Sequence, residues 1–197
     1  MSALADAPHV RVDDRATWRA WLEANHATAR GAWMVTRRAS TGESGLAYEA
    51  AVEEALCFGW VDSTGGRVDD ELGKLYFAPR KPRSAWAATN KARVARLIDE
   101  GRMAPAGLAA IERAKANGSW EVLDSVERLE VPADLAQALD AQPPAASNFA
   151  AFPPSTRKMQ LGWVAFARRP ETRAARIAAI VDGAARGERV TGTGAPR

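Results

Sequence analysis

The sequence predicts an α+β fold: a small antiparallel sheet of about three strands, followed by a predominantly helical C-terminal half. Two patterns carry that expectation. Alternation over 60–68 and 74–78, with turn signals at Gly65-Gly66 and Gly73, reads as a hairpin, and the bulky stretch AWMVTRR (32–38) supplies a third strand. Beyond residue 84 the signals become helical. Ser84, Pro105, Pro132, Ser155 and Pro170 open the runs, and Gly101, Gly118 and Gly183 close three of them.

Residues 1–12 read as a flexible arm and residues 187–197 (GERVTGTGAPR) as a flexible tail. Between them, 13–186 forms a single domain, with the sheet in 13–120 and helices in 121–186. The first helix spans 14–29, with Trp18, Trp21 and Leu22 on one face. STGESG (40–45) is a loop. A second helix over 47–58 turns Tyr48, Val52 and Ala55 to one side, and Glu49, Glu53 and Glu54 mostly to the other. The remaining helices are 85–100 with Ser84 as N-cap, 105–117, one near 132–140, 155–168 capped by Ser155, and 170–182. PPAAS (143–147) is a linker.

Composition excludes several function classes. With 197 residues, 47% of them hydrophobic and 26% charged, the chain can bury a sizeable core. Its start, MSALADAPHVRV, lacks the apolar stretch of a secretory signal, and no run approaches the roughly 20 apolar residues that span a bilayer. Cys57 is the single cysteine, so no internal disulfide forms. These features predict a cytoplasmic protein without membrane insertion. Net charge is +3, and the surplus is local. Between 150 and 190, Arg157, Lys158, Arg168, Arg169, Arg173, Arg176, Arg186 and Arg189 face only Glu171, Asp182 and Glu188. Solvated helix faces and an anion- or nucleic-acid-attracting patch both fit that surplus. No nucleic-acid reading motif accompanies it, so no specific nucleic-acid partner is expected.

Familiar site chemistry is missing. His9 and His26 form no ligand pair and no Cys/His cluster exists, which predicts no metal. GKL (73–75) lacks the spacing and hydroxyl of a phosphate loop, GESG (42–45) is one residue short of a nucleophile elbow, and no G-x-G-x-x-G occurs, which predicts no cofactor. Cys57, in the apolar LCFG, reads as a buried structural thiol.

Polar residues with site character concentrate between 60 and 90. Trp60 and Asp62 share a strand face, so a core-facing Trp60 carries Asp62 inward, where a carboxylate needs a partner. An aspartate capping a turn at a strand end explains it equally well. In PRKPRSAWAATN (79–90), Arg80 and Arg83 flank Pro82, Ser84 starts a helix, and Trp86 and Asn90 lie one turn apart. Arginines beside a helix N-terminus suit a carboxylate or phosphate. Alternatively Arg80 pairs with Asp62 and Asn90 satisfies a loop. Arg173 shares a face with Ile177 and Ile180, and either meets an internal partner or snorkels outward.

Four stretches, in order, resemble a known family: YEAAVEEALCFGWVDS (48–63), PR-x2-RSAW with Asn90 (79–90), GRMAPAGLAAIERAKANGSW (101–120) and RRPETRAARI (168–177). They are similar to the YdeI/OmpD-associated family, also called the OmdA or bacteriocin-protection family, over roughly 15–185. Ala47 departs from it, standing where such proteins often carry a hydroxyl residue, which weakens a helix cap. The resemblance implies the fold and a stress or defence context: protection against bacteriocins or cationic antimicrobial peptides. It implies no reaction. The expectation for function is therefore a small polar or anionic ligand held by Trp60, Asp62, Arg80, Arg83, Ser84, Trp86 and Asn90. The alternatives are a cofactor-independent enzyme with Asp62 as acid–base and an arginine as electrophile, and a non-specific nucleic-acid binder using the C-terminal arginines.

Overall fold

A computed structural model describes residues 4, 6–38 and 45–190. Most of the loop expected at 40–45, the first residues of the arm and the end of the tail lie outside the described residues. The chain divides into two compact units, Met1–Trp120 and Glu121–Arg197.

The first unit holds a four-stranded sheet in the order β1-β2-β4-β3. β2 (Ala32–Arg37), β3 (Trp60–Arg67) and β4 (Leu72–Pro79) fall where alternation placed strands, and β3 pairs antiparallel with β4 from Trp60 opposite Pro79 to Arg67 opposite Gly73. An irregularity between Asp62 and Gly65 gives β3 one extra residue against β4. The sheet is mixed rather than purely antiparallel. β1 (His9–Arg11), in the stretch read as an arm, pairs parallel with β2, with His9 opposite Trp33. Three residues carry too short a pattern to signal a strand, and only a partner distant in sequence makes them one.

α1 (Arg15–Asn25) starts at Asp14, whose carboxylate accepts the Thr17 amide at 2.8 Å. α2 (Tyr48–Cys57) has Ala47 at its N-cap and no side-chain cap bond there. Trp18, Leu22, Val52, Leu56, Trp60, Phe77, Trp86 and Leu97 meet in one core. On the opposite face of the sheet, Trp33 and Tyr76 pack with Ala7. Gly59, at φ +72°, makes the tight turn from α2 into β3. A Cβ there would lie 2.9 Å from that of Ala110.

α2 departs from the expected amphipathic helix. α1, α3 (Ala88–Asp99), α4 (Pro105–Ala116) and β3 all pack against it, so its polar side is enclosed too. Glu53 and Glu54, on the side opposite Val52 and Ala55, are 3% and 1% exposed, whereas Tyr48, on the side of Val52 and Ala55, is 54% exposed. Four arginines reach the two carboxylates. Arg15 lies 2.7 Å from Glu53 and 3.2 Å from Glu54, Arg19 lies 2.9 Å from Glu54, Arg96 pairs with Glu53, and Arg102 pairs with both.

The second unit is helical around its own core of Leu135, Phe149, Leu161, Val164, Ile177 and Ile180. Its helices are α5 (Asp124–Glu127), α6 (Ala133–Asp140), α7 (Pro143–Ala151), α8 (Pro154–Ala165) and α9 (Pro170–Ala185). PPAAS is therefore no linker. Pro143 and Pro144 occupy the first turn of α7, where a missing N–H costs no helical bond, and Ala145 and Phe149 are buried behind them. α8 begins one residue before Ser155, which caps nothing. α9 runs through Gly183, whose missing side chain leaves room for Val190.

Candidate functional site

The hairpin brings both ends of the 60–80 segment together at the edge of the first unit's core. Asp62 sits opposite Phe77, on the face of β3 that carries Trp60 inward. Its partner is not Arg80. The Tyr48 hydroxyl, at the start of α2, donates to the Asp62 carboxylate at 2.8 Å. Partial burial of its phenol, then that bond, push the Tyr48 pKa upward. Beside it, Glu49 accepts two bonds from Arg93 at 2.7 and 2.6 Å, and Arg93 also donates to the Asn90 side-chain oxygen at 2.7 Å. The Glu49 carboxyl is held below its usual range by that guanidinium. Asn90 and Asp62 are thus each engaged by a residue that the sequence reading did not single out. The available signal for Arg93 was its place three residues after Asn90 on one helix face.

Replacing Asp62 with Asn is expected to lower the Tyr48 pKa towards the usual tyrosine value without reaching it, because the burial contribution remains. Ultraviolet titration of tyrosinate in a Tyr76→Phe background isolates Tyr48. An unchanged midpoint would mean that the Asp62 bond is not formed in solution.

Arg80 is the unusual side chain. It follows β4, its amide bonds to the Gly59 carbonyl at 2.9 Å, and it is 7% exposed. Its guanidinium stacks on the Trp86 ring at 4.0 Å. Two of its nitrogens donate to the Ala85 carbonyl at 3.2 and 3.4 Å, one of them also reaching the Ser84 hydroxyl at 3.4 Å. Its Nε has no hydrogen-bond partner, and neither has the buried indole nitrogen of Trp86. No ion pair to Arg80 occurs among the described residues. Burial pushes its pKa down to about 10, opposed only in part by the charge of Asp62. A buried guanidinium with uncapped donors is costly unless something anionic completes it.

The other expected site residues divide. Ser84 bonds to Arg80 and does not cap a helix: α3 starts at Ala88, and residues 82–87 are non-helical. Arg83 is exposed and has no ion pair among the described residues. Trp60 is 1% exposed, donates to the His26 carbonyl at 3.3 Å and packs edge-on to Trp21, so it supports the core. Cys57 is buried and its thiol is pushed up to about 11, chiefly by burial, which leaves no reactive thiolate near neutral pH.

In the second unit, ion pairs among the described residues hold three of the eight basic side chains counted between 150 and 190. Arg173 meets Asp134 at 2.6 Å, Lys158 meets Glu127 at 2.6 Å, and Arg186 meets Glu188 at 2.8 Å. Arg173 therefore has a partner on α6 as well as the Val164 carbonyl. Among the described residues, no three His, Cys, Asp or Glu side chains are grouped to hold a metal ion, and no helix is long and apolar enough to cross a membrane.

Residues 10–110, just over half of the chain, match a family model described as a domain of unknown function (DUF8412). Residues 128–187 match a second, described as Bacteriocin-protection, YdeI or OmpD-Associated (OmdA). No curated protein and no solved structure matches the chain.

Proposed function

Because the chain belongs to the DUF8412 family through its first unit and carries an OmdA (YdeI/OmpD-associated) domain in its second, we propose that it is a YdeI-like protein whose first unit binds a small polar or anionic ligand. The biological setting we attach to that binding is bacteriocin protection, named in the description of the matched OmdA model, or the antimicrobial-peptide protection that the family resemblance implies. The observation that carries the binding reading is Arg80: a guanidinium 7% exposed, with no ion-pair partner among the described residues and with an uncapped Nε. Ser84 and the Trp86 indole N–H are further donors beside it. Exposed Arg83 adds long-range attraction for an anion.

Acid–base catalysis by Asp62 has weaker support. Tyr48 occupies that carboxylate, and its own pKa is displaced upward, away from neutral pH. Nucleic-acid binding by the second unit has less behind it: Arg173, Lys158 and Arg186 pair with neighbouring acids, and no nucleic-acid reading motif accompanies the basic residues that remain.

Thermal melting in phosphate, sulfate or acetate against chloride, at one ionic strength, tests the reading. Phosphate and sulfate stabilise proteins generically, so the informative quantity is the difference between the wild type and Arg80→Met. A specific site occupied at a hundredfold excess over Kd adds about 2.7 kcal/mol. The wild type is expected to gain several degrees more than the variant in at least one anion. Equal gains in both would remove Arg80 as the ligand group.

A further inference from the structure

The first unit holds a cavity of about 500 Å³ that opens on Ser84. Leu4, Val61, Ala78 and Pro79 form its apolar wall, with Val61 directly opposite Ala78 across β3 and β4. Arg30 and Lys81 supply two cations, and Ser63, Ser84 and Tyr76 supply three hydroxyls. Among the described residues no carboxylate lines it. That is unusual in this unit, where Arg15, Arg19, Arg93, Arg96 and Arg102 each hold a glutamate. Arg30 and Lys81 hold no ion pair among the described residues, and the Tyr76 hydroxyl makes no hydrogen bond there. Gly31 leaves the room which that hydroxyl occupies: a Cβ on residue 31 would lie 2.0 Å from it.

Unneutralised cations and free hydroxyls around an apolar wall are complementary to a molecule with both characters. A bare inorganic anion would satisfy the cations and leave the wall wet. A neutral apolar molecule would cover the wall and leave the cations unused. We propose that the cavity takes an amphipathic organic anion, with its flat apolar body on Val61, Ala78 and Pro79 and its carboxylate or phosphate between Arg30 and Lys81. This rests on the anion-binding reading of Arg80 and gives it a ligand class, since Ser84 lines the cavity and also contacts the Arg80 guanidinium. The occupant sits on the outer face of the sheet, the face that Tyr76 shares with Trp33.

The test is amide NMR on the full chain, titrated with 2-naphthoate, acetate and 2-naphthylmethanol. Naphthoate is expected to shift the Val61, Ser63, Ala78 and Ser84 amides and to bind at least about tenfold more tightly than either other probe, a margin given over acetate by the buried aromatic face and over naphthylmethanol by the paired carboxylate. Arg30→Glu and Lys81→Glu should each weaken naphthoate by about tenfold and leave naphthylmethanol unaffected; both side chains are exposed, so folding is unaffected. Absence of shifts at those amides, equal binding of naphthylmethanol, or indifference to both charge reversals would overturn the proposal. If phosphate still moves the Trp86 indole signal while naphthoate shows no advantage, the cavity assignment falls and the Arg80 reading stands. If naphthoate binds with full dependence on Lys81 but is unaffected by Arg80→Met, the cavity stands and Arg80 lies outside it.

Discussion

Replacing Glu54 with alanine is expected to lower folding stability by about 3 kcal/mol, and to lower the melting temperature of the first unit by on the order of 10 °C. Glu54 is 1% exposed and accepts from Arg15, Arg19 and Arg102 together. Removing a buried ion-pair partner costs roughly 3–5 kcal/mol when a buried charge is left behind. The arginines keep between 26% and 40% exposure, so water covers part of the loss and the lower end applies. The converse substitution separates hub from pair. Arg102→Ala leaves Glu54 with Arg15 and Arg19, and should cost only about 1–2 kcal/mol. Equal losses for the two variants in chemical denaturation would mean that the arginines do not share the carboxylate. Glu53 adds an acid dependence. Burial pushes its pKa upward, but its bonds to Arg96 and Arg15 outweigh that and hold it below 4.5. Its contribution is therefore complete above that ordinary value and is lost as pH falls through the lower folded value.

Arg80→Met is expected to change ligand-free stability by no more than about 1 kcal/mol while abolishing the part of the anion response that exceeds generic salt stabilisation. Burial lowers the Arg80 pKa to about 10, and a fall of that size corresponds to roughly 3 kcal/mol. The sign follows from proton counting: the folded state holds its proton less tightly than the unfolded state. The cost is therefore present throughout the range below about 10 and is relieved as pH rises towards the ordinary arginine value. Opposing it are the contact on Trp86, about 2 kcal/mol when desolvated, and the bonds to the Ala85 carbonyl, about 1 kcal/mol. These nearly cancel, so a neutral side chain of similar length should be tolerated. A structural latch would behave differently: a loss of 3 kcal/mol or more would show that Arg80 is held by an internal counter-charge and needs no ligand.

The hairpin and the longer helices of the first unit were legible because their signals are local. Trp60–Arg67 and Leu72–Pro79 form where strands were expected, and α4 opens on a proline. The hairpin, however, turns at Val68–Glu71, where the Asp69 carboxylate accepts the Glu71 and Leu72 amides, and Gly65, Gly66 and Gly73 lie within the paired strands rather than in the turn. Tertiary context decided the rest. β1 exists because Trp33–Val35 present an open edge to it. The acidic side of α2 is buried because four elements enclose that helix, which no pattern within ten residues encodes. Of the residues expected together from the sequence, Arg80, Ser84 and Trp86 do meet. The sequence mispaired Asp62, because Tyr48 reaches it from another element. Arg30 stayed invisible as a cavity residue because it lies fifty-one positions from Lys81, and only the fold brings the two to one rim.

The most direct test of the central claim is side-chain NMR of the Arg80 Nε–H and the Trp86 indole N–H during titration of the full chain with inorganic phosphate. Both donors are buried and uncapped without ligand. Both signals are expected to move together, to saturate with one Kd, and to leave the Glu49-bound Arg93 signal in place. If the Arg80 and Trp86 signals stay fixed while the protein remains folded, no anion reaches the guanidinium and the account of this site is contradicted.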